Sequence, residues 1–115
     1  MYERLHETLD EISGGVKTHW GEMVWPLRSI PELLKLVMDN QWIILGGDIL
    51  DTQQNYTYDN WYYNPDPQMS LIFNVTASVE KTKEYISQYC KKNGDDFWIS
   101  PTISNSYVEG SLRFS

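Results

Sequence analysis

The segment Asn64-Pro65-Asp66-Pro67 divides the chain into two patterns that cannot run into one another. Each proline fixes φ at about −65° and disfavours helix in the residue before it, so no helix crosses this point. Ahead of it, residues 42–50 and 56–63 are aliphatic and aromatic runs separated by the polar Asp51-Thr52-Gln53-Gln54-Asn55, the pattern of a hairpin. Beyond it, Ser70 is placed to cap a helix reaching Lys92. There Ile72, Val75, Val79, Ile86 and Tyr89 recur at helical spacing and Asn93-Gly94 supplies the stop.

The remaining elements follow from similar signals. Tyr2, Leu5, Leu9 and Ile12 share one face of a first helix over residues 2–12, which Ser13-Gly14-Gly15 ends. Residues 16–27 show no period and read as a loop that lays Trp20, Met23, Val24 and Trp25 over part of the core. Ser29 with Glu32 fits a capping box, with Pro31 in the first turn of a short buried helix ending near Asp39-Asn40. Gly46-Gly47 inside the first hairpin strand predicts a bulge or a close backbone approach. Residues 97–100 and 106–114 read as two last strands separated by Pro101. The order is α-α-β-β-α-β-β: an α+β fold with a small, mainly antiparallel sheet of about four strands and helices on one face. Residues 1–115 form a single domain, which at this length buries roughly two-thirds of its unfolded surface.

Residues 36–80 contain no Lys or Arg, yet hold Asp39, Asp48, Asp51, Asp59, Asp66 and Glu80 beside Trp42, Tyr56, Tyr58, Trp61, Tyr62 and Tyr63. Aromatics give contact area at low entropy cost and carboxylates steer a basic partner, so the composition suits a recognition surface. The plainer alternative places the aromatics in the core and leaves the acids for solubility. A net charge of −7 argues against nucleic acid or an anionic membrane as partner. No apolar run spans a bilayer, and Met1-Tyr2-Glu3-Arg4-Leu5 is no signal peptide, so the expected compartment is the cytoplasm. Cys90 is the sole cysteine, which rules out an internal disulfide.

No cofactor or metal site is expected. Two distant histidines and scattered carboxylates offer no ligand cluster, and no phosphate-binding or dinucleotide motif is present. An enzymatic or ligand-binding reading would rest on His19 with Asp48 or Asp59. In Tyr58-Asp59-Asn60-Trp61-Tyr62-Tyr63, strand alternation sends Tyr58, Asn60 and Tyr62 one way and Asp59, Trp61 and Tyr63 the other. Trp61 is expected as a core anchor beneath the long helix. Asp59 beside it then needs a buried partner or a departure from regular strand geometry.

The run Ile43-Ile44-Leu45-Gly46-Gly47-Asp48-Ile49-Leu50, then Tyr58-Asp59-Asn60-Trp61-Tyr62, then Glu84-Tyr85-Ile86 with Tyr89 on the long helix, resembles the immunity protein 40 family of bacterial polymorphic toxin systems. Trp25-Pro26-Leu27 and Leu33-Leu34 suit the same pattern, which covers roughly residues 20–115 and leaves the first helix outside. The resemblance implies a cytoplasmic antidote that binds the toxic C-terminal domain of a partner toxin without catalysis. It transfers no contact residues. From the residues alone, Asp48, Asp51, Tyr58, Tyr62 and Asp66 are the candidate toxin contacts, and monomer and homodimer stay open.

Overall fold

The computed structural model describes Leu9 and residues 11–105. Most of the expected first helix and the expected strand at 106–114 lie outside the described residues. Within them the elements are β1 (Val16–Lys17), β2 (Met23–Pro26), a 3-10 turn (Leu27–Ser29), α1 (Ile30–Asn40), β3 (Ile43–Leu50), β4 (Tyr56–Tyr62), α2 (Leu71–Asn93) and β5 (Trp98–Ser104). The strands form one antiparallel sheet in the order β1-β2-β5-β3-β4. Both helices contribute to a single core cluster on one face, with Leu33, Leu34 and Val37 of α1 and Val75, Val79 and Ile86 of α2 meeting Ile43, Ile44, Ile49, Trp61 and Ile99.

The α+β architecture and the placement of α1 and α2 match the sequence reading, and the described residues form five strands where about four were expected. The additional strands come from residues 16–27, expected as a loop. They pair as Val16↔Val24 and Lys17↔Met23, and β2 then joins β5 through Trp25↔Ile99 and Pro26↔Trp98. No sequence period marks them because each is too short to show alternation. Pro101 also fails to end β5, which continues to Ser104. Beyond Ile99 the β2 ladder has ended, so the flank on which Pro101 lacks an N–H has no ladder bond to lose.

Ser29 precedes α1 as expected, but the capping box does not form. Ser29 lies in helical conformation and donates to the Ser13 carbonyl at 2.7 Å, while Glu32 accepts from Ser13 Oγ at 2.9 Å. The two residues clamp the incoming chain instead of capping their own helix. At α2 the cap is as read: Ser70 Oγ accepts from the Phe73 N–H at 3.1 Å. Ile72, however, is exposed. The buried seam carries a polar column, Asn74, Ser78 and Thr82, alongside its apolar residues.

That column fastens the helix to the hairpin. Asn74 Oδ1 accepts from the Tyr63 hydroxyl at 2.6 Å and the Asp66 N–H at 2.7 Å. Ser78 Oγ accepts the Ile44 N–H at 3.2 Å, and Thr82 Oγ1 accepts the Trp61 indole N–H at 2.9 Å. The two hydroxyls also donate back to helix carbonyls, so these buried groups are satisfied.

The glycine pair answers to Trp61. A Cβ on Gly47 would sit 2.6 Å from the Trp61 ring and 2.9 Å from the Ser100 carbonyl oxygen. Gly46 adopts φ +142° at a bulge, where two residues of β3 are matched by one step of β5, and a Cβ there would run into the Trp61 backbone. The sequence left open whether this pair serves the fold or a partner. The contacts assign it to the fold.

Candidate functional site

Among the described residues the helices lie against one face of the sheet, and on the other face Glu22, Trp20, Tyr56 and Ser100 converge. On β3, Gly47 and Ile49 face the core, so alternation turns Asp48 and Leu50 to the opposite side. Val24 of β2, next to the core residue Trp25, turns the same way. Leu50 and Val24 are fully buried yet stand apart from the main cluster. The β1–β2 hairpin reaches over this end of the sheet and carries Trp20 and Glu22 with it.

Glu22 is the centre of the arrangement. Its carboxylate accepts from Ser100 Oγ at 2.9 Å on β5, from the Trp20 indole at 3.2 Å, and from the Tyr56 hydroxyl on β4. It thus links the β1–β2 turn across β5 and β3 to β4. The Trp20 and Tyr56 rings lie 5.9 Å apart, and His19 packs edge-on against Trp20 at 4.7 Å. Burial alone would raise the Glu22 carboxyl, but the bonds from Tyr56, Ser100 and Trp20 together hold it below its ordinary value. The Tyr56 phenol moves the other way, pushed up to about 12 chiefly by its hydrogen bond to Glu22.

Asp48 feels the charge of this carboxylate and has no side-chain hydrogen bond or ion pair among the described residues. Its carboxyl is raised by burial first and by the Glu22 charge second. Among the described residues the ion pairs are Lys35–Asp39 and Lys83–Glu80, both exposed pairs within a helix, so no base neutralises Glu22 or Asp48.

The β4 strand brings the expected tyrosines to solvent. Tyr58 is 87% exposed and Tyr62 63%, while Trp61 is buried and stacks on Tyr85 at 5.5 Å between centroids. Lys81 stands over the Tyr62 ring at 5.3 Å. Of the two expectations for Asp59 the departure from regular strand geometry is met: the strand is irregular there, and Asp59 is exposed and accepts from the Tyr89 hydroxyl at 2.9 Å rather than from a buried partner. Burial, then that hydrogen bond, pushes the Tyr89 phenol up to about 12.

Asp51 and Asp66 flank β4 at its two ends. Asp51 Oδ1 accepts from the Gln53 and Asn55 N–H groups at 2.9 and 3.0 Å, closing the hairpin loop. Asp66 Oδ1 accepts from the Gln68 N–H at 2.9 Å, and its backbone is tied to Asn74. The structure therefore leaves Tyr58 and Tyr62 exposed on β4, sets Asp48 beside Glu22, and gives Asp51 and Asp66 local work in turns. His19 is exposed and bonded to neither Asp48 nor Asp59, which are directed to opposite faces. Among the described residues no group of three or more His, Cys, Asp or Glu could hold a metal ion. No described helix is long and apolar enough to cross a membrane.

A family model described as immunity protein 40 matches residues 13–103. The chain belongs to the immunity protein 40 family. In this immunity protein the matched region takes in the β1–β2 hairpin, which the sequence-based resemblance only partly included, and ends near the close of β5. Searches of curated proteins and of solved structures gave no match. The residues that sequence reasoning missed are Trp20, Glu22 and Ser100. Glu22 lies in a segment without periodicity, and only its contacts with Ser100 on β5 and Tyr56 on β4 single it out.

Proposed function

We propose that this immunity protein binds the toxic domain of a cognate bacterial toxin and neutralises it by occlusion, without chemistry of its own, in the cytoplasm of the producing cell. The observation that carries the reading is the sheet face away from the helices, where Glu22 and Asp48 lie together with no base paired to either among the described residues. Partly buried carboxylates next to one another favour an incoming Arg or Lys, whose charge relieves their repulsion. A toxin that acts on a polyanion needs a basic cleft, and such a cleft complements this face. Asp48, Tyr58 and Tyr62 form the centre of the proposed contact with Glu22. Asp51 and Asp66, at either end of β4, form its rim. An interface of ordinary size buries about 1,600 Å² in total, with a few aromatic anchors dominating the energy.

The test is co-expression with the C-terminal domain of the polypeptide encoded immediately upstream. Cell survival together with a one-to-one complex is the expected result. The association rate falls as salt rises, because exposed carboxylates steer the encounter. A toxic neighbour that is neither bound nor neutralised overturns the reading.

A further inference from the structure

Among the described residues three non-glycine positions have positive φ: Gln41 at +55°, Gln54 at +66° and Tyr58 at +69°. Two of them have evident backbone reasons. Gln41 ends α1, its N–H bonded back to the Met38 and Val37 carbonyls, and Gln54 turns the hairpin loop with its N–H on the Asp51 carbonyl. Tyr58 lies inside a strand, and an aromatic residue there is a conformational outlier.

The irregularity around it is built rather than incidental. Asp48 pairs with Asn60 and Leu50 with Tyr56, so a step of two residues on β3 spans four on β4. Thr57 Oγ1 donates to the Ile49 carbonyl at 2.9 Å and accepts the Asp59 N–H at 3.1 Å, bracing the bulge from both sides. Asp59 is held in turn by Tyr89. A bulge of this kind re-aims a side chain, and strained backbone survives where its surroundings determine it. What is re-aimed is a ring left 87% exposed, with no ring contact or side-chain hydrogen bond among the described residues.

We infer that the β4 bulge presents Tyr58 as the anchor for the toxin domain, its ring entering an apolar recess rimmed by Lys or Arg. The inference rests on the occlusion reading above and deepens it. Charge complementarity supplies the rim. Tyr58 is two residues from Asn60, the partner of Asp48, and two from Tyr56, which holds Glu22, so the anchor and the unneutralised acids share one end of the strand. A buried aromatic ringed by charged contacts has the composition of an interface hot spot.

Tyr58→Gly separates anchoring from folding, since glycine accepts the left-handed conformation without strain. Thermal unfolding of the free protein and titration against the upstream-encoded toxin domain are the two readouts. The expected result is a Tm equal to or above that of the wild type, with affinity weakened by about thirty-fold or more. Tyr58→Asn, also tolerant of this backbone, gives the same pattern. Wild-type affinity in both variants overturns the anchor and leaves occlusion standing. A toxin domain that the wild-type protein does not bind overturns both. A clear fall in Tm in both variants shows that the ring serves the fold, and so overturns the inference. A concentration-dependent dimer that becomes monomeric in Tyr58→Gly assigns the ring to self-association, which also overturns it.

Discussion

The Tyr56 hydroxyl lies against both carboxylate oxygens of Glu22, with Oε2 at 2.9 Å, and so ties the β1–β2 hairpin to β4 at the opposite side of the sheet. The two residues are 34 apart in sequence, and β5 and β3 lie between their strands. Tyr56→Phe removes this tie and leaves Glu22 with Ser100 and Trp20. The expected loss is about 1 kcal/mol at pH 7, since a hydrogen bond to a charged group runs to about 1.5–3 kcal/mol and partial exposure reduces it. Urea denaturation of the two proteins checks it. The phenol, raised to about 12, favours the neutral form in the fold. Its stabilisation is therefore intact below the unfolded tyrosine value of about 10 and is lost between there and about 12. In Glu22→Gln the tyrosinate absorbance titration of Tyr56 moves back toward that value, while the high Tyr89 step remains.

Asp48→Asn is expected to stabilise the free protein while weakening toxin binding. The Asp48 carboxyl is raised by burial and by Glu22. A raised folded value stabilises the protonated form, and that contribution disappears as pH rises through it. At pH 7 the ionised group is thus a liability that asparagine lacks. The gain is about 1 kcal/mol or less, given its partial exposure, and it closes as pH falls below about 4, where both side chains are neutral. Melting curves of both proteins across that range decide the point. A lower Tm for the variant at pH 7 would sink it.

Alanine at the glycine pair is expected to destabilise without touching the sheet face away from the helices. Gly47→Ala forces the Trp61 ring and the β5 backbone apart, at a loss of about 3 kcal/mol. Gly46→Ala adds a side chain at φ +142° against backbone that cannot rotate away, so its loss is the larger of the two. Midpoints in guanidinium chloride rank the pair, and the reverse order would contradict the contacts described.

Thr82→Val keeps the shape of the α2 seam and removes the acceptor for the Trp61 indole N–H. Leaving that buried donor unsatisfied costs about 1–3 kcal/mol. Thr82→Ser retains the hydroxyl and recovers most of it. Chemical denaturation of the two variants provides the comparison, and equal stability would show that the indole finds another acceptor.

The legible part of this protein was its punctuation and its longer periods. Pro65 and Pro67 separated the hairpin from α2, Ser70 and Gly94 bounded that helix, and Trp61 was readable as its anchor. Those signals act over a few residues, so they survive in the sequence. The family resemblance, resting on the same β3, β4 and α2 motifs, was likewise visible before the structure. What tertiary structure decided is everything that depends on pairing between distant segments. The short strands β1 and β2 exist because β5 lies beside β2 with a free edge, not because residues 16–27 carry a strand pattern. Ser29 spends its hydroxyl on Ser13, so a local capping signal yielded to a bond 16 residues away. Likewise Asp48, Asp51 and Asp66 look equivalent in sequence as acids of one base-free stretch. Asp51 and Asp66 are engaged by neighbouring backbone N–H groups within reach of any turn, whereas Asp48 meets Glu22 only once four strands are assembled. Local chemistry is written in the order of residues, and the acid pair is written only in the register of the sheet.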